Sequence, residues 1–227
     1  MGTAEDSLFF ALAQDLKTPL TRIAYKAQLG TKDKNSLDIQ HIATSTLSLL
    51  DAYLLGAQKN TQLALEPVSP SAVMQDAAQD LAVYAKRFSC QLQLDVPSHS
   101  GYILTNRSAL KAAVAAIAKV FIDAQDLLDT PERSIRLSAY KTGKGFSVGV
   151  FHSGSDKLLT TQLFSRAKSH VGTAARPFVG LASGAASQLF VAEQLLSALH
   201  TNLRVAHRGN MNGLAIDVII SAQMQLV

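Results

Sequence analysis

The chain has 227 residues, 48% of them hydrophobic and 17% charged, which is enough apolar material for one large or two modest cores. Its formal net charge of +4 is scattered, with no dense Lys/Arg run and no interleaved aromatics, which argues against a nucleic-acid binder. No run of about 18 apolar residues is present to cross a bilayer, and Cys90, the only cysteine, excludes an internal disulfide.

The first stretch, Met1-Gly2-Thr3-Ala4-Glu5-Asp6, lacks the basic start and apolar core of a secretory leader. The abrupt start suggests an input domain lying elsewhere, and the single cysteine fits a reducing, cytoplasmic setting. A first helix follows. Phe9, Leu12, Leu16, Pro19 and Ile23 fall three and four apart in alternation, the seam of a helix that packs in a bundle. Counting Phe9 as heptad position a puts Gln14 at f, directed at solvent. Thr18 lies one turn on, and Asp15 and Lys17 flank the pair. Pro19 on the seam removes a backbone donor and is expected to weaken or bend the helix there.

Gly30-Thr31-Lys32-Asp33-Lys34-Asn35 is a polar break, and a second helix is expected from Ser36 to Gln58. Its seam is Ile39, Ile42, Thr46, Leu49 and Tyr53, broadened by Ala43, Leu50 and Ala57. So short a connection makes the two helices antiparallel. A lone hairpin cannot cover both stripes, so the expectation is a homodimer that closes a four-helix bundle, the alternative being a hairpin packed on its own chain. His41, beside the second seam, reads as a packing or capping residue.

Lys59 to Pro70 has the composition of a linker, so the expected domains are residues 1–60 and 61–227. Ser69-Pro70 is a good helix start. That helix is expected to reach Phe88, with Val73, Ala77, Leu81 and Tyr84 on its apolar side. Cys90 to Val96 alternates as a half-buried strand, which makes Cys90 a buried, inert thiol. Ile103-Leu104 reads as a short strand, and Ser108 to Asp126 as a helix with Leu110, Val114, Ile117 and Phe121 on its core face. Ile135–Tyr140 and Phe146–Val150 read as a hairpin. From His152 to Gly184 there is little period, and a loop of that length usually has a job or is mobile. A helix from Ala185 to Leu199 and a last hairpin close the chain, with strands Leu203–His207 and Leu214–Ile220 around the turn Gly209-Asn210-Met211-Asn212-Gly213. The second domain is therefore expected to be α+β, an antiparallel-rich sheet covered on one face by helices.

The stretch Gln14-Asp15-Leu16-Lys17-Thr18-Pro19-Leu20 resembles the phosphoacceptor box of bacterial sensor histidine kinases, His-Glu-Leu-Arg-Thr-Pro-Leu. The later order of elements resembles the Bergerat-type ATP-binding domain of the same family, so the resemblance covers nearly the whole chain. It implies a dimerisation hairpin followed by an α/β sandwich of the histidine kinase ATPase type. It also implies where chemistry should be, and there this chain departs. Gln14 stands at the acceptor position. Its amide lone pair is delocalised into the carbonyl, whereas a neutral imidazole nitrogen can attack phosphorus. Matching through Ala109–Val114 puts Val120 where the family's asparagine helps hold Mg²⁺, and a valine offers no oxygen to a hard cation. Asp123 falls where a basic residue is common.

The family's Asp-x-Gly-x-Gly adenine motif falls on His152-Ser153-Gly154-Ser155-Asp156. Gly154 keeps its type, His152 offers one acceptor in a suitable tautomer, and Asp156 brings negative charge toward the phosphate position. His152 with Asp156 alone is a poor metal pair. Leu163-Phe164 matches the apolar pair that opens the family's lid. Of the glycines that let backbone N–H groups approach phosphate, only Gly184 is kept, and Gln188 would fill that space.

What the resemblance implies is a degenerate core without autokinase activity and with no cofactor expected, ATP·Mg²⁺ included. Gln14, Asp15, Lys17, Thr18, Pro19 and Arg22 would form a docking surface for a response regulator or a partner kinase. Two alternatives stand beside this reading. One is residual kinase or regulator-phosphatase activity, with Thr18 positioning water. The other is a structural relay bent at Pro19.

Overall fold

The computed structural model describes residues 4–29, 34–57, 63–98, 101–127, 132–143, 145–152 and 185–219. The chain divides into two compact units, Met1–Gln62 and Leu63–Val227.

In the first unit, α1 (Ala4–Leu29) and α2 (Lys34–Ala57) pack along each other, joined by four residues. The helix is unbroken through Pro19. Small side chains sit inside: Ala13, Ala43 and Ala52 are buried, with Leu54. The ammonium of Lys17 reaches across to Asp51 at 2.5 Å. Thr46, a polar residue on the expected seam, donates its hydroxyl to the carbonyl of Ile42 at 2.8 Å, so its oxygen is satisfied within its own helix. The larger seam residues are another matter. Leu16, Ile23, Ile39 and Ile42 keep between 43% and 64% of their surface exposed. A layer of two helices has one interior side, and the alanines hold it.

In the second unit, β2 (Gln91–Asp95), β4 (Ser134–Thr142), β5 (Gly145–His152), β6 (Leu203–Arg208) and β7 (Met211–Ile219) form one sheet in the order β2-β4-β5-β7-β6. The β2–β4 pair is parallel, joined through α4, and the other pairs are antiparallel. A separate two-stranded ladder pairs β1 (Glu66–Val68) with β3 (Ile103–Thr105), so part of the expected linker is strand. Helices α3 (Pro70–Arg87), α4 (Arg107–Leu127) and α5 (Ala185–Ala198) carry the core, with α3 and α5 each packed on α4. Val73, Leu81, Leu110, Ile117, Phe121, Leu189 and Leu195 are all but fully buried, as are Ile135, Leu137, Val148, Val150, Leu214 and Ile216 of the strands.

Local chemistry sets the helix ends. Ser69 Oγ accepts from the amide of Ala72 at 3.4 Å, and Pro70 takes the first helical position. Asn106 Oδ1 accepts from the amide of Ala109 at 2.9 Å, which starts α4 just ahead of the expected Ser108. At its far end α3 closes with Ser89 at φ 52° while the Cys90 amide bonds the Ala85 carbonyl at 2.9 Å, a Schellman cap built without glycine. Cys90 is buried as expected, and burial pushes its thiol up to about 11, so little thiolate exists near neutrality.

Two expectations about strand limits need correction. Arg208 pairs with Met211, so the turn is Gly209-Asn210 alone, with Gly209 at φ 59°, and Gly213 lies inside β7. Gly213 is needed there for space: a Cβ on it would stand 2.1 Å from the Val150 carbonyl oxygen and 2.7 Å from the Phe151 ring. On β5, a Cβ on Gly149 would meet the same ring at 2.8 Å. The two glycines thus make room for Phe151 on the sheet face opposite Val150. There it packs with Ala206, Met211, Ala215 and Tyr140. The second correction is that β5 extends through His152, which is strand and not the first residue of a loop.

Candidate functional site

Helix α4 and the end of β5 position the described part of the expected nucleotide pocket. Residues three apart on a helix share a face, so Val120 and Asp123 are neighbours along α4. Val120 is 1% exposed and presents only methyl groups. Phe121, next to it and 1% exposed, meets His152, which is fully buried. Their ring centroids lie 4.9 Å apart with planes tilted by 36°. The imidazole that the resemblance places at the adenine position is therefore packed on a neighbouring ring. Phe121 reads from sequence as an ordinary core residue; only its pairing with a residue 31 positions away marks it as part of this site.

Asp123 is also engaged. Tyr84 of α3 donates its phenolic hydrogen to Asp123 Oδ1 at 2.5 Å, and Lys119 Nζ sits 5.6 Å from the centre of the Tyr84 ring. Burial pushes the Asp123 carboxyl up to about 6, aided by Asp126, against the opposing pull of the Tyr84 hydroxyl and Lys119. Burial likewise raises the Tyr84 hydroxyl and lowers the Lys119 ammonium from their ordinary values. This contact ends a ladder between the two helices. Asp76 bonds Arg107 at 2.6 Å and Asp80 bonds Lys111 at 2.7 Å, so the α3 residues 76, 80 and 84 each meet a partner on α4. A basic residue at position 123 would remove the acceptor that Asp123 offers to Tyr84.

Gln188 lies in the first turn of α5 and is half-buried. Gly154, Asp156 and Gly184 lie outside the described residues, as does the expected lid pair Leu163-Phe164. On the first unit, Gln14, Asp15, Lys17, Thr18, Pro19 and Arg22 all belong to α1. Lys17 is held by Asp51, and Arg22 is exposed. Among the described residues no three His, Cys, Asp or Glu side chains converge as a metal site. At the position where the resemblance expects a metal-holding side chain, Val120 has no donor atom for a hard cation, and Asp123 is already bonded by Tyr84.

No family model matches the sequence, and no curated protein matches it. Solved structures do. The histidine kinase AdeS of Acinetobacter baumannii is 14% identical over 92% of this chain and 98% of its own, with a TM-score of 0.55. Full-length ShkA, solved in complex with AMPPNP, is 17% identical over 93% of this chain, with a TM-score of 0.60. This chain spans 46% of the ShkA chain. The fold is thus that of a histidine kinase core, a helical hairpin followed by an α+β ATPase-type unit with a mixed five-stranded sheet. No described helix is long and apolar enough to cross a membrane.

Proposed function

We propose that this chain is a histidine-kinase-like signalling module that does not phosphorylate itself and works by binding. The observation that carries the reading is Phe121 packed on His152 beside the apolar Val120. Adenine recognition and metal binding would need polar atoms facing open space at those places. Gln14 adds a second reason, since an amide is no nucleophile. The retained Asp15-Leu16-Lys17-Thr18-Pro19-Leu20 surface would then serve to dock a response regulator or a partner kinase. Exposed Leu16, Ile23, Ile39 and Ile42 support a homodimer closing a four-helix bundle in the cytoplasm.

The test is thermal-shift titration with ATP and Mg²⁺, followed by incubation with labelled ATP. A ligand that binds the folded state must raise its stability by mass action. No shift and no label are expected; a rise in melting temperature that saturates with ATP would refute the reading. A titration of isotope-labelled chain with candidate regulators then asks whether amides around Gln14 move.

A further inference from the structure

Away from the expected nucleotide pocket, the second unit holds a cavity of about 370 Å³ where β2 and β4 end and β5 begins. Phe146 on its wall is six residues along β5 from His152, about 20 Å at strand rise. The size suits a small organic ligand.

Its polar wall is built across the whole sheet. Arg208 ends β6 and Asp95 ends β2, the two edge strands, yet Arg208 Nη2 bonds Asp95 Oδ2 at 2.8 Å. On the way its guanidinium lies 4.3 Å over the Tyr140 ring. This ion pair neutralises the cavity's carboxylate and covers one aromatic face. What remains is Lys141, which makes no ion pair among the described residues, above an apolar lining of Val96, Pro97, Gly101, Ala139 and Phe146. Beside Asp95 in register stands Ser138, fully buried, whose Oγ has no hydrogen-bond partner among the described residues.

We propose that this cavity binds a small monocarboxylate with a compact aromatic or branched apolar body. The carboxylate rests on the Lys141 ammonium and the body on Phe146, Val96 and Pro97. A cationic ligand finds no acceptor there, because Asp95 is bound by Arg208 and that guanidinium covers the Tyr140 face. A phosphate ion would leave the apolar wall of Val96, Pro97 and Phe146 empty. The proposal goes beyond the docking function and does not depend on it.

The experiment is an amide NMR titration of the isotope-labelled full chain with naphthoate, and in parallel with naphthylmethylamine and with inorganic phosphate. Naphthoate should produce saturable shifts at Gly101, Lys141 and Phe146. Lys141→Ala, at an exposed position, should weaken binding about fivefold or more, and Lys141→Arg should restore most of it. Four results would each overturn the proposal: no saturable shift at those amides, equal binding of the amine, phosphate reproducing the same shifts, or Lys141→Ala without effect.

Discussion

The hydroxyl of Tyr84 on α3 and the carboxylate of Asp123 on α4 meet at 2.5 Å, half-buried between two helices that also exchange the Asp76–Arg107 and Asp80–Lys111 pairs. The outer pairs are exposed and worth little each. The Tyr84–Asp123 bond is different, because burial makes an acid there hold its proton more tightly than in the unfolded chain.

Stability should therefore fall as pH rises through the Asp123 range. The raised carboxyl contributes stability that is fully present below the ordinary 3.8 and is lost as pH passes through about 6. The size is on the order of 2–3 kcal/mol for this group. Asp123→Asn keeps an acceptor for Tyr84 and should flatten the stability profile between those limits, being no less stable than the parent above pH about 7. Urea denaturation across pH reads both curves, and parallel curves would contradict the assignment.

Tyr84→Phe should cost about 1–3 kcal/mol near neutral pH, since it strands a half-buried carboxylate without its donor. The same change should move the Asp123 titration upward, visible as a pH-dependent carboxyl shift by NMR.

Phe121→Ala should destabilise the second unit by about 3–5 kcal/mol, through lost burial and the cavity left beside His152. Space alone should not restore nucleotide binding, because Val120 still offers no oxygen. Denaturation gives the first value and ATP·Mg²⁺ thermal shift checks the second.

Replacing Gly213 by alanine should prevent folding of the sheet or cost more than about 4 kcal/mol, as its Cβ would overlap the Val150 carbonyl at 2.1 Å. Gly143→Ala is the control. Nothing lies within 4 Å of a Cβ there, so the change should be neutral within about 1 kcal/mol. Circular dichroism melts of the two variants separate the cases.

Lysine at both Ile23 and Ile42, exposed at 45% and 64%, should leave the single hairpin folded and shift a dimer to monomer in sedimentation. An unchanged mass would remove the proposed bundle.

Local signals carried far along this chain. Three-four spacing and short polar breaks were enough for both helices of the hairpin, and period-two runs located β2, β4 and β5. Those patterns are legible because the period of apolar residues separates helix from strand within the element's own residues. Which side is covered was not legible, since Leu16, Ile23, Ile39 and Ile42 stay exposed and β5 is buried along its whole length. The caps at Ser89 and the limits of the Gly209-Asn210 turn were not legible. Each depends on a hydrogen bond or register partner set by the fold, and Ser89 carries none of glycine's usual signal. The same division runs through the site. Gln14 and Val120 could be read in place, because the chemistry they lack is a property of one side chain. That Phe121 lies on His152, Tyr84 bonds Asp123, and Arg208 crosses from one sheet edge to Asp95 on the other was decided by tertiary packing alone. Residues so far apart in sequence meet only after the sheet and helices have formed.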